Sequence, residues 1–358
     1  MRIVRTTLAS LALVFVVGWV GWSQSATTPT PPVVVATPKD AAQILKVAAE
    51  VNGLESEKLA PWHLKSTFQL YDANGKPSEQ GTYEEFWASL HKYKRIYTSP
   101  SFTQTEWATE DGKYYRTGRL YVPPIVLSLV RSQMISPMPS EQEISDAVLT
   151  RQVQGSGKGK LVCVSLTRTI QNVPSAQPGL FSTYCFNEDR PILRTSMLYG
   201  GVQSIANEMV LFQNRYLPKV VRVNGYDKPL LDIRILLLKG LASSPGSEFQ
   251  PPANAMQVRY EPRIVVEKGM TGVQLLHKVT PVYPYEAKQH RVEGLVLIKA
   301  VLGTDGRLGN LALISAPDPS LAEAAASSAM QWEFSPYLVD GQPVELVFTI
   351  QVSFRIGS

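Results

Sequence analysis

From Trp62 to about Lys239, apolar and polar residues alternate with a period of two, and turn signals interrupt the alternation at intervals. This pattern constrains the fold more than any other feature of the chain, because successive side chains point to opposite faces only along a strand. Leu64, Ser66, Phe68 and Leu70 interleave with Lys65, Thr67 and Gln69 ahead of an Asn74-Gly75 pair, the signal for a hairpin. Tyr83, Glu85 and Trp87 oppose Glu84, Phe86 and Ala88, and Asp111-Gly112 marks a second turn. Leu161 to Arg168 and Leu180 to Leu198 supply further strands, and a turn at Gly225 to Lys228 leads into Leu230 to Leu238. Helix-like segments follow Pro123-Pro124 and Pro139. The expected product is a long antiparallel meander with a small helical insertion, with no parallel sheet required.

The chain has 358 residues, room for about two domains at roughly 150 residues each. With 18% charged and 44% hydrophobic residues, wholesale disorder and a polytopic membrane protein are excluded. Arg2 and Arg5 precede an uncharged stretch from Thr6 to Trp22, and Ser23-Gln24-Ser25-Ala26 then offers small residues for a signal peptidase. The chain is therefore expected in the periplasm, either anchored in the inner membrane by residues 6–22 or released after cleavage; the length fits both. Residues 27–40 form a Pro/Thr-rich spacer, after which Asp40 caps a helix over Ala41 to Val51, with Ile44, Val47, Ala48 and Val51 on one face. In an oxidising compartment Cys163 and Cys185 are expected to pair, closing a loop worth roughly 3 kcal/mol in the chain-entropy picture; two separately buried thiols are the other reading.

The net charge of +5 is too small to argue nucleic-acid binding. Four histidines without ligand spacing give no metal site, and no cofactor motif stands out. Gly155 to Lys160 lacks the glycine and hydroxyl positions of a phosphate loop, and a turn is the better reading. With no nucleophile elbow and no reactive Cys/His pair, the chain is not expected to be an enzyme.

Leu241 to Pro262 is rich in Ser, Pro and Gly and is expected to be a linker. Beyond it, Pro284 starts a short helix, Leu295 to Leu302 is a strand, Gly303 to Gly306 a turn and Leu308 to Ile314 the return strand. Either Asp318 with Pro319 at the first helical position, or Ser320 with Glu323, starts a helix whose buried stripe is Leu321, Ala325, Ser328 and Trp332. After an Asp340-Gly341 turn a long last strand alternates Leu346, Phe348, Ile350 and Val352 with Val347, Thr349, Gln351 and Ser353, and ends at Phe354. The order is αββαβ.

The run from Gly81 to Phe102 and that from Asn207 to Ile235 resemble the LolA-like superfamily, which implies an open antiparallel β half-barrel closed by helices over residues 41–240, able to take a lipid ligand. Without that resemblance, an apolar sheet face near Phe86 and Trp87 is more simply a packed core. Pro281-Val282-Tyr283-Pro284, Ala287, Gly294, Asp305-Gly306, Leu321, Ala324-Ala325, Ala329, Trp332, Phe334, Pro336, Gly341 and the strand Val344 to Phe354 resemble the TonB C-terminal domain. That implies an α+β chain ending, over residues 263–358, in a domain that grips a peptide of an outer-membrane TonB-dependent transporter by pairing it with the last strand. The binding residues would be Tyr283, Leu346, Val347, Phe348, Thr349, Ile350, Gln351, Val352, Ser353 and Phe354, since an unpaired edge supplies backbone donors and acceptors.

Family members that draw on the inner-membrane gradient through ExbB and ExbD carry Ser and His four residues apart in the membrane helix. Here Ser10 is followed at that spacing by Val14, and Thr280 stands where Gln usually precedes the Pro-x-Tyr-Pro element. The resemblance implies an energy transducer for transmembrane transport; a soluble carrier of lipid or lipoprotein that docks through its last domain is the alternative.

Overall fold

The computed structural model describes residues 36–174, 179–226, 228–241, 246–259, 263–266 and 272–357. The signal or anchor segment and most of the spacer lie outside them. Among the described residues no helix is long and apolar enough to cross a membrane.

Helix α1 (Ala41–Val51) starts where the Asp40 carboxylate accepts from the Gln43 N–H at 2.9 Å, and buries Ile44, Leu45 and Ala48. Asn52 stops it. Its side-chain amide donates to the Ala48 and Pro191 carbonyls and accepts from the Leu193 N–H, which ties the helix end to the sheet.

The alternating region forms two antiparallel meanders. The first comprises β1 (Trp62–Tyr71), β2 (Pro77–Ser89), β3 (Lys92–Thr98), β4 (Thr103–Ala108) and β5 (Tyr114–Gly118). Helices α2 (Ile125–Ser132) and α3 (Glu141–Ser145) follow, the latter closed by a Ser140/Glu143 capping box. The second meander comprises β6 (Val148–Gln154), β7 (Leu161–Thr167), β8 (Thr183–Asn187), β9 (Leu193–Leu198), β10 (Val202–Phe212), β11 (Arg215–Gly225) and β12 (Lys228–Gly240). Antiparallel pairing of β1 with β12 joins the two, and the described residues form one curled sheet of 13 strands. The sheet's thirteenth strand, β13 (Met256–Val258), lies within the expected linker and pairs with β5. The described residues 246–259 of the expected linker are therefore not a free tether: Phe249 is buried, and the Trp107 indole N–H donates to the Glu248 carbonyl at 3.1 Å. A strand this short has no periodicity to detect.

Period two decides the sheet's inner face: Trp62, Leu64, Phe68, Tyr83, Trp87, Tyr97 and Ile233 pack there beneath Leu127, Val130 and Met134 of α2 and the residues that follow it. Phe86 points to the opposite face, where it stacks on His63 at 4.0 Å. Cys163 and Cys185 sit directly opposite each other on β7 and β8 and are disulfide-bonded.

The remaining elements are β14 (Ile264–Val265), β15 (Leu275–His277), α4 (Tyr285–Gln289), β16 (Gly294–Leu302), β17 (Leu308–Ser315), α5 (Pro319–Ala329), β18 (Glu333–Phe334), β19 (Tyr337–Val339), β20 (Gln342–Val344) and β21 (Leu346–Phe354). The Asp318 carboxylate caps α5 by accepting from the Ser320 N–H, with Pro319 in the first turn. Four strands form a second sheet in the order β14, β21, β16, β17.

Helix α5 has two buried faces. Leu321, Ala325 and Ser328 form one; Ala322, Ala326 and Ala329 form the other. The alanine-rich sequence permits this because small side chains allow close approach on both sides. The loop between β7 and β8 places Ile170, Val173, Leu180 and Phe181 in the same hydrophobic cluster as α5 and the second sheet. Tyr199 joins them and donates its hydroxyl proton to the Ala322 carbonyl at 3.0 Å. A second seam lies at α2, where a Cβ on Gly309 would come within 2.7 Å of Ile125 Cγ2, and the Thr304 hydroxyl donates to the Val122 carbonyl at 3.1 Å. Loop residues of the first sheet's region thus enter the core of the second.

Candidate functional site

β21 is paired along its whole length on one side. Its register with β16 runs from Leu346 opposite Leu302 to Phe354 opposite Gly294. On the other side β14 runs parallel to its first residues, with the Ile264 N–H donating to the Glu345 carbonyl at 3.1 Å and the Val266 N–H to the Val347 carbonyl at 2.9 Å. The N–H and C=O of one strand residue point the same way in the sheet plane, and successive residues alternate. Glu345 and Val347 therefore face outward, and so do Thr349, Gln351 and Ser353. Leu346, Phe348, Ile350, Val352 and Phe354 direct their backbone groups to β16.

Among the described residues, none forms a backbone bond with Thr349, Gln351 or Ser353 on the outer side. These three are exposed, whereas Phe348, Ile350, Val352 and Phe354 are buried beneath the helix side of the sheet. Among the described residues, the outer edge is thus occupied at its start and without a partner strand from Thr349 onward. Such an edge offers donors and acceptors to an extended chain.

The expected site residues divide accordingly. Val344 belongs to β20, where it pairs with Tyr337. The even-numbered residues from Leu346 to Phe354 shape the floor rather than the edge. Tyr283 meets the far end of the strand, its ring 5.4 Å from Phe354 in an edge-to-face arrangement and its hydroxyl donating to the Val292 carbonyl at 2.6 Å. Beside it Val282 and Tyr285 are 82% and 72% exposed. The Pro-x-Tyr-Pro element thus packs at the C-terminal end of β21 and leaves Val282 and Tyr285 as apolar surface there.

Two features have no counterpart in the expectations from sequence. One is β14, whose only sequence trace is the β-branched triplet Ile264-Val265-Val266. The other is Glu345, whose carboxylate meets Arg263 Nε at 2.6 Å.

Residues 279–356 match the family model described as Gram-negative bacterial TonB protein C-terminal. The last domain is a TonB C-terminal domain. Two curated relatives, each named Protein TonB, are similar to the chain. That of Vibrio cholerae serotype O1 is 29% identical over 108 residues, covering 30% of this chain and 43% of its own. That of Klebsiella pneumoniae is 33% identical over 88 residues, covering 24% and 34%. The chain therefore spans less than half the length of these relatives. The solution structure of the Pseudomonas aeruginosa TonB C-terminal domain is similar at 23% identity, 26% of this chain and 95% of that one, with a TM-score of 0.23. A LolA superfamily protein from Nitrosomonas europaea is similar at 11% identity, 61% of this chain and 98% of that one, with a TM-score of 0.39.

The half-barrel that carries the TonB C-terminal domain has a polar interior of its own. Glu85 is fully buried and takes Arg95 Nε and Arg131 Nε, each at 3.1 Å, on its two oxygens, together with the Tyr83 hydroxyl. Burial alone would raise this carboxyl, but Arg131, Arg95 and the hydrogen bonds outweigh it and hold the pKa below the usual carboxylate range. Glu106 continues the network to Arg116 at 2.7 Å. Charges and rings fill this part of the inner face.

Proposed function

We propose that this is a periplasmic TonB-type protein that captures an extended segment of an outer-membrane transporter by adding it as a strand to the outer edge of β21. One observation carries the reading: Thr349, Gln351 and Ser353 present their backbone groups outward with no described partner, on a strand whose opposite edge is fully paired. Main-chain bonds supply the affinity in such a mode, and flanking pockets supply the selectivity. In this reading Val282, Tyr283 and Tyr285, near the end of β21, supply the latter.

The protein acts by binding, not catalysis. Coupling to ExbB/ExbD-like inner-membrane proteins would depend on residues 6–22, where Val14 occupies the position of the usual histidine. Against the lipid-carrier alternative stands the half-barrel interior, occupied by the Glu85 network and by Trp62 stacked on Trp87 with ring centroids 5.7 Å apart.

Amide hydrogen exchange tests the reading. On addition of a peptide from the periplasmic end of a transporter of the same source, the amides of Thr349, Gln351 and Ser353 are expected to gain protection. Protection confined to the half-barrel, or none at all, would count against strand addition.

A further inference from the structure

β14 already sits where the incoming strand would begin. It is one described pair of residues long, it lies at the rim of its sheet, and among the described residues Ile264 and Val266 donate to Glu345, just ahead of β21, and to Val347. Its side chains nevertheless seat well: Ile264 and Val266 pack against the domain core, Val265 is 64% exposed, and Arg263 reaches Glu345 at 2.6 Å. An edge that binds one strand in this way specifies what it accepts: a parallel chain, a cation against Glu345, then aliphatic residues at the first and third places after it.

We infer that β14 is an internal stand-in for the partner, occupying the start of the edge until a longer strand of the same chemistry displaces it. The inference rests on the strand-addition reading. A visiting chain that runs from Glu345 to Ser353 would bond to five outward residues, where residues 263–266, the described part of this segment, bond to two. The exchange therefore runs toward the visitor, and the cost of releasing β14 lowers the apparent affinity of every visitor that needs the occupied stretch. A short segment that lacks the cation and the aliphatic pair fails to displace it. Selectivity thus comes from competition inside the chain as well as from contact with the partner.

The test uses the full chain and a fluorescent peptide, acetyl-Arg-Ile-Val-Val-Thr-Val-Thr-Lys-amide, with binding followed by anisotropy. Val266→Pro removes the N–H that reaches Val347 and leaves β21 untouched; the peptide is expected to bind at least tenfold more tightly to this variant than to the parent chain. Arg263→Glu, which breaks the ion pair without altering the backbone, is expected to shift affinity the same way by about threefold, and it serves if the proline variant fails to melt cooperatively. Equal or weaker binding to the released variants, with binding still lost in Gln351→Pro, overturns the inference and leaves strand addition standing. No binding to the parent or to either released variant overturns both.

Discussion

At the residue scale, what matters along β21 is the direction of each backbone group. Gln351 and Ile350 are neighbours, yet the Gln351 N–H points to the open edge and the Ile350 N–H to β16. Proline is tolerated on an edge whose N–H faces solvent and not inside a ladder. Gln351→Pro is therefore expected to weaken peptide capture at least tenfold while the chain still melts cooperatively. Ile350→Pro is expected to cost about 3 kcal/mol or more of stability, read in a urea melt, so loss of binding in that variant would say nothing about the edge. Alternation of side chains was legible in the sequence. The in-plane alternation became useful only once β14 showed which set of residues faces outward.

Glu85 makes a second prediction at this scale. Its pKa in the folded chain lies below the unfolded value of 4.5, so its ion pairs stabilise the fold above that pH, and the contribution is lost as pH falls through the folded value. Glu85→Gln leaves Arg95 and Arg131 buried with a neutral partner, and about 3 to 5 kcal/mol should be lost at neutral pH. Melting temperatures at pH 7 and pH 3 check this: the parent should lose more between the two than the variant does. An equal loss would mean that another carboxylate governs acid stability.

At the element scale, strong patterns were legible and short ones were not. α1, with Asp40 as its cap and Asn52 as its stop, was readable from cap chemistry and spacing. So were the hairpins at Asn74-Gly75 and Asp111-Gly112, because only turn residues break the alternation there. β13 and β14 carry too few residues to show a period, and pairing partners distant in sequence decide them. Helix α5 was legible on one side only. The stripe through Leu321 and Ala325 marked its packing on the sheet, whereas the face through Ala322 and Ala326 looks, in sequence, like good helix-forming surface. That second face meets Tyr199, and just beyond it a Cβ on Gly200 would lie 3.4 Å from Met330 Cγ. Ala326→Leu would overfill this seam and is expected to lower stability by about 1 to 3 kcal/mol, measured by urea unfolding. No change would show that the helix face is not tightly covered in solution.

At the scale of the whole molecule, the sequence suggested two modules on a string, and the structure has two sheets with loop residues of one region built into the core of the other. Composition could not reveal this, because the segment 241–262 has the Ser, Pro and Gly content of a tether while part of it serves as a strand and a plug. The Cys163–Cys185 bond brackets the loop whose Ile170, Val173, Leu180 and Phe181 reach into that core. Replacing both cysteines with alanine is expected to cost about 3 kcal/mol and to open the loop between β7 and β8 to proteolysis before the rest of the chain. If the loop is cut no faster than in the parent, the bond does not organise the seam.

The seam also bears on how a tug would be felt. A partner lying beside β21 pulls along the strand axis, so its bonds share the strain together rather than parting one after another. Because α5 lies between its own sheet and Tyr199, that packing would oppose any swivel of the small domain. The half-barrel would be hauled along with it, and whatever holds on at the far end would meet the viscous drag of the entire body.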